Sequence, residues 1–173
     1  MTVKTLPLLA ITAYSGTGKT TLLQQLIPLL NKKDINVAAI KHSHHDIDID
    51  IPGKDSYLLR KAGANQTIVA CDNRWALITE TPEAHPVNLH KLINQLNANL
   101  IDLVLVEGFK DEPIPKIMLF REEVGKPIDN IMDSYVIALA TDKKYNIQVP
   151  LLDINDIQQI ADFIINWLKL NNN

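Results

Sequence analysis

The chain predicts a three-layer α/β fold: a mostly parallel sheet with helices on both faces and one inserted antiparallel β-hairpin. Three observations carry this. Strand-length apolar runs alternate along the chain with segments of helical spacing. Leu103-Val104-Leu105-Val106 is apolar at every position, as a strand covered on both faces is. Gln66–Cys71 and Trp75–Glu80 are rich in β-formers and are separated by the turn residues Asp72-Asn73-Arg74, at hairpin distance. A length of 173 residues suits one domain over 1–173, with the hairpin insertion at about 66–80.

In chain order, Leu8–Ile11 forms the first strand, and Leu22, Leu23, Leu26, Ile27 and Leu30 keep helical spacing after it. Pro28 removes one backbone bond from that helix and predicts a kink or an early stop. Val37–Ile40 is a short buried strand. Asp46-Ile47-Asp48-Ile49-Asp50-Ile51 alternates strictly, which predicts an edge strand with a wet carboxylate face. Pro52-Gly53 breaks it, and Asp55 or Ser56 caps a helix over Tyr57–Ala62 that stops at Gly63. The hairpin follows, and no Lys or Pro guards the middle of either strand. It is therefore expected to pair with a second copy of the chain or with another protein. Leu89, Leu92, Ile93 and Leu96 mark a helix face; Lys116–Phe120 and Val136–Ala140 are further strands. The last helix carries Ile157, Ile160, Ala161, Ile164, Ile165 and Leu168 on one stripe, capped by Asn155 or Asp153.

Composition narrows the function classes. With 46% hydrophobic and 21% charged residues the chain has the makeup of a globular protein. A net charge of −3 leaves no electrostatic footprint for a nucleic-acid backbone. Cys71 is the single cysteine, which excludes an intramolecular disulfide and fits a reducing compartment. Leu6–Tyr14 has a signal-like composition but lacks a small-residue cleavage pattern, and no apolar run nears the ~20 residues of a membrane helix. A cytoplasmic protein is expected.

Ala13-Tyr14-Ser15-Gly16-Thr17-Gly18-Lys19-Thr20 lies between the first strand and the first helix, the context of a phosphate loop. Ala13 stands where glycine is usual. Ser15, Gly16, Thr17, Gly18, Lys19, Thr20 and Thr21 are the expected nucleotide-binding residues. Their backbone N–H groups would curl round phosphates, helped by the helix dipole. Lys19 would reach the terminal phosphates, and Thr20 would ligate Mg²⁺. Glu107, at the tip of the Leu103–Val106 strand, would hold the Mg²⁺ shell or position water. Lys19 and Glu107 are thus the candidate catalytic residues, with Thr20, Glu107 and Asp46 around the metal.

Other residues leave alternatives open. His42, His44 and His45 with Asp46 suit a transition-metal site, a loop that contacts an anion or Mg²⁺, or a solvated loop. Gly53-Lys54-Asp55-Ser56, with Arg60 and Lys61 a turn further on, is a candidate second anion site or an ordinary helix start. Asp142, after the strand Val136–Ala140, could accept both the N1–H and the N2 amine of guanine, a pair that adenine lacks. This leans towards GTP, with Asp153 as the rival reader. Arg74 and Arg121 are scattered, so no arginine finger is evident; such a group is worth ~10³–10⁵ in rate. Hydrolysis should therefore be slow.

These segments stand in one order: the phosphate loop, Ile40-Lys41-His42-Ser43-His44-His45-Asp46, Pro52–Tyr57, Arg60–Ala64, Val106-Glu107-Gly108-Phe109-Lys110 and Leu151–Asp156. Taken together the chain resembles, over essentially its whole length, the molybdopterin-guanine dinucleotide biosynthesis protein B (MobB) family. The resemblance implies a homodimeric, phosphate-loop GTP-binding protein with weak Mg²⁺-dependent GTPase activity. It would assist the guanylyltransferase (MobA-type) that attaches GMP to molybdopterin, with molybdopterin itself a candidate ligand. Two other classes compete: a metal-delivery GTPase, on the histidines, and a small-molecule kinase or ATP-dependent ligase of the dethiobiotin synthetase type. A kinase lid is not evident, and Phe109-Lys110 stands where such a ligase would want further glycines.

Overall fold

The computed structural model describes residues 5–43, 47–81 and 86–171. Its elements are β1 (Leu8–Thr12), α1 (Lys19–Asn31), β2 (Val37–Lys41), α2 (Asp55–Lys61), β3 (Gln66–Cys71), β4 (Arg74–Thr79), α3 (Leu89–Ile93), β5 (Leu103–Glu107), β6 (Lys116–Phe120), β7 (Val136–Thr141), β8 (Leu151–Asp153) and α4 (Ile157–Asn171). They group into two compact units, 1–42 with 89–173, and 43–88. The sequence suggests one domain with a hairpin inserted at about 66–80; the second unit takes in α2 as well, because α2 packs on β3.

The larger unit holds a six-stranded sheet in the order β2-β5-β1-β6-β7-β8, and every strand pair in it is parallel. All strand C-termini therefore open on one edge. Alternate residues of the central strands feed two cores, as strand periodicity requires. Leu9, Ile11, Leu105 and Ile117 pack with Leu22 and Leu26 of α1 and Ile160 and Ile164 of α4. Ala10, Val104 and Val106 face the opposite side, with Leu89 of α3 and Phe109. Burying a leucine or isoleucine is worth about 1.5–3 kcal/mol, so these two layers carry the unit. The result is a phosphate-loop NTPase-like α/β fold.

In the smaller unit β3 and β4 pair antiparallel, with Cys71 opposite Arg74. Arg74 is thus a strand residue, and the turn is Asp72-Asn73 alone.

Several sequence expectations are corrected. Pro28 neither stops α1 nor shortens it; the helix runs to Asn31, and the Lys32 N–H donates to the Pro28 carbonyl at 3.1 Å. Residues 47–51 form no strand, since among the described residues no strand pairs with them; Ile49 is 72% exposed. Asp46 lies outside the described residues. The α3 helix keeps only Leu89–Ile93. The cap of α4 is Asp156, whose carboxylate accepts the Gln159 N–H at 3.0 Å, while Asp153 instead accepts the Asn155 N–H at 2.8 Å. α2 starts after Lys54, with Asp55 in its first turn and no side-chain cap.

Candidate functional site

The loop between β1 and α1 opens on the C-terminal edge of the sheet. Gly16 and Gly18 sit at φ +85° and +95°, and a Cβ built on either would meet no protein atom within 4 Å. The glycines are thus required by backbone conformation, and the space above them is open. Gly18 directly precedes α1, where free amides and the positive end of the helix dipole gather. Thr17 turns inward, 2% exposed, and its hydroxyl donates to the Tyr14 carbonyl at 3.0 Å. Ser15, Thr20 and Thr21 remain exposed. Thr17 therefore braces the loop, while Thr20 is open to a ligand.

Lys19 is held by its own loop. Its Nζ donates to the carbonyls of Ala13 at 3.1 Å and Tyr14 at 3.0 Å. An ammonium has three N–H donors, so one is left for a ligand. Partial burial pushes the Lys19 pKa below the usual lysine value; the Glu107 carboxylate opposes this and Lys41 adds to it. A phosphate at the loop would reverse that penalty by supplying the missing counter-charge.

Glu107 ends β5 opposite Ile11 of β1 on one side and Lys41 of β2 on the other. Its carboxylate lies 3.5 Å from the Lys41 ammonium. Lys41 stood in the sequence only as part of the segment after the second strand; its pairing with Glu107 was not foreseen, and its place at the end of a strand next to β5 was the available signal. The pairing leaves Glu107 better suited to water-mediated than to direct metal contact. Behind it, the His42 N–H donates to the Glu107 carbonyl at 2.9 Å, and the His42 ring stacks on Phe109 with centroids 4.8 Å apart. His44 and His45 lie outside the described residues. Among the described residues no group of three or more His, Cys, Asp or Glu could hold a metal ion.

A cavity of about 350 Å³ runs from the loop, lined by Gly16, Thr17, Gly18, Thr21, Arg121 and Asn155 among others. Arg121 is scattered in the sequence yet reaches this wall because β6 ends there. Its guanidinium donates to the Asn155 Oδ1 at 2.8 Å. Asp142 directly follows β7 and Asp153 ends the adjacent β8, where Thr141 is level with Asp153. Neither is among the residues that line the cavity.

The second anion site fares differently. In the smaller unit Arg60 donates to Asp48 at 2.6 Å, Glu80 at 2.9 Å and Asp50 at 3.3 Å. Its charge is already met by three carboxylates, so it is no anion-binding cation. Asp48 and Asp50 are likewise ion-paired, not the wet face of a strand.

The family model described as molybdopterin guanine dinucleotide synthesis protein B matches residues 8–142. A molybdopterin-guanine dinucleotide biosynthesis adapter protein of Escherichia coli K12 is 54% identical over 168 residues, covering 96% of both chains. Its counterpart in Haemophilus influenzae Rd is 57% identical over 163 residues, covering 94% of this chain and 90% of that one. The crystal structure of Bacillus subtilis MobB superposes with a TM-score of 0.75 at 24% identity, over 93% of this chain and 97% of that one. A MobB homologue from Bacillus stearothermophilus gives 0.72 at 21% identity, over 94% and 98%. The two structures bear on fold, the two sequences and the family model on kinship, and by these the chain belongs to the MobB family.

Proposed function

We propose that this chain is a GTP-binding adapter in molybdopterin-guanine dinucleotide biosynthesis, with slow Mg²⁺-dependent GTPase activity. The observation that carries it is the loop over residues 13–20: two positive-φ glycines under open space, a tethered Lys19, and Glu107 on the neighbouring strand end. The loop amides and the remaining Lys19 donor would hold the phosphates, and the exposed Thr20 hydroxyl would face the metal. Bound Mg²⁺ would neutralise charge developing on the phosphates. Glu107, already facing Lys41, would orient water around that ion.

As partners we propose a second copy of the chain, and the MobA-type guanylyltransferase with its molybdopterin. The support for the second copy lies in the hairpin, where Ile68, Val69, Trp75 and Leu77 are exposed on a two-stranded sheet.

The test is calorimetric titration of GTP with Mg²⁺ into the wild type and Lys19→Ala. Loss of a charge-assisted contact should weaken binding at least about tenfold. The isolated protein should turn over below about one GTP per second. Equal affinity of the two proteins for GTP would overturn the reading.

A further inference from the structure

Guanine offers a donor pair, N1–H and the N2 amine, beside the acceptors O6 and N7. Adenine reverses the sense at positions 1 and 6. An acceptor-only group next to a donor-only group can separate them. The cavity that opens from the phosphate loop holds one of each: among its lining residues Glu123 is the sole acid and Arg121 the sole cation. We infer that these two residues read the nucleobase, Glu123 accepting from N1–H and N2 and Arg121 donating to O6 or N7. This rests on the GTP reading above and assigns its specificity.

The Arg121 side chain and the turn that carries Glu123 are each tied to neighbouring residues. Arg121 donates one N–H to the Asn155 Oδ1 at 2.8 Å, which fixes the guanidinium and leaves its other donors. Asn155 is itself set by its backbone N–H, which donates to the Asp153 carboxylate at 2.8 Å. Glu123 lies in the 3₁₀ turn Glu122–Val124, closed by the Gly125 N–H on the Glu122 carbonyl at 2.9 Å. The Asp142 Oδ1 accepts the Glu122 N–H at 3.4 Å and so ties that turn to the end of β7. Asp142 and Asp153 thus act as positioning residues for the pair that faces the cavity. Thr21, Leu22 and Gln25 of α1 line the same cavity.

The experiment is a binding panel of GTP, ITP, XTP and ATP with Mg²⁺ on the wild type, Glu123→Gln, Arg121→Ala, Asp142→Asn and Lys19→Ala. Wild type should prefer GTP to ITP, which lacks the N2 amine, and to ATP. Glu123→Gln should lose about tenfold to a hundredfold for GTP. It should gain for XTP, because a glutamine amide can donate to the xanthine O2 while accepting N1–H. That gain cannot come from a misfolded protein. Arg121→Ala should weaken GTP and ITP alike, since both carry O6. Asp142→Asn keeps an acceptor oxygen for Glu122, so whatever it costs in affinity it should not switch preference to XTP. The inference is overturned if Glu123→Gln binds all four as the wild type does, or if Asp142→Asn alone switches preference to XTP. Wild type binding GTP and ATP equally, with Lys19→Ala binding neither, would sink this inference and spare the phosphate loop. Wild type binding no triphosphate would sink both.

Discussion

A methyl group on Gly108 would stand 2.5 Å from the His42 carbonyl oxygen, in a residue at φ +94°. Gly16 has a similar φ of +85° but open space around it. The two glycines follow and precede the candidate chemistry, yet they answer to different physics. Gly108→Ala must push the ends of β2 and β5 apart as well as adopt a left-handed backbone, so it should cost about 2 kcal/mol or more of unfolding free energy. Gly16→Ala meets only the conformational penalty and should cost about 1–2 kcal/mol. Urea denaturation of both variants checks the order, and a Gly108→Ala no worse than Gly16→Ala would contradict the close approach. At this scale the sequence was most legible where a residue type has one use. Gly16, Gly18 and Lys19 could be placed by spacing alone. Lys41, Arg121 and Glu123 could not, because a charged residue after a strand is ordinary until the strand order is known.

Elements were legible where their pattern matched their burial. The apolar run of β5 is buried along Leu103–Val106, and the α4 stripe buries Ile160, Ala161, Ile164 and Leu168. The alternation over 46–51 misled because alternation only describes a strand that has a partner. Asp48 and Asp50 were instead gathered by Arg60, whose side chain is 9% exposed beside an Asp50 that is 3% exposed. The second Asp50 oxygen is buried with no hydrogen-bond partner among the described residues. One guanidinium therefore secures three acids, and the Asp48, Glu80 and Asp50 contacts hold its pKa above the usual arginine range. Removing it strands them. Arg60→Ala should raise the rate of limited proteolysis within 47–81 while β5 and α4 keep their hydrogen-exchange protection. A pH sign follows as well. The bond from Arg60 holds the Asp48 carboxyl below its usual 3.8, so this contribution is complete above that value and is lost as pH falls through the lowered one. The same proteolysis in wild type should thus accelerate only in acid; acceleration on going from pH 7 to pH 9 would contradict the assignment.

For the molecule as a whole, the layers and the parallel sheet could be read from the order of elements, since right-handed crossovers leave few alternatives. The division into two units could not. It depends on α2 joining the hairpin, a contact between segments whose own patterns are weak. Among the described residues no helix is long and apolar enough to cross a membrane. The exposed side chains of the hairpin, with Trp75 68% and Ile68 66% exposed, are where a second copy is proposed to meet the first. Sedimentation equilibrium should return twice the 19.4 kDa chain mass, and Trp75→Glu should shift the population towards single chains with the far-UV circular dichroism unchanged. A monomer in the wild type at micromolar concentration would remove that partner.

The mooring of Lys19 to Ala13 and Tyr14 has an energetic corollary. A free butylammonium arm forfeits up to about 2 kcal/mol of rotamer entropy when an anion arrests it. Here folding has already arrested it, so an arriving phosphate would encounter a charge in waiting. Recognition at such a loop would draw on contacts formed, with little lost to disciplining the arm that forms them.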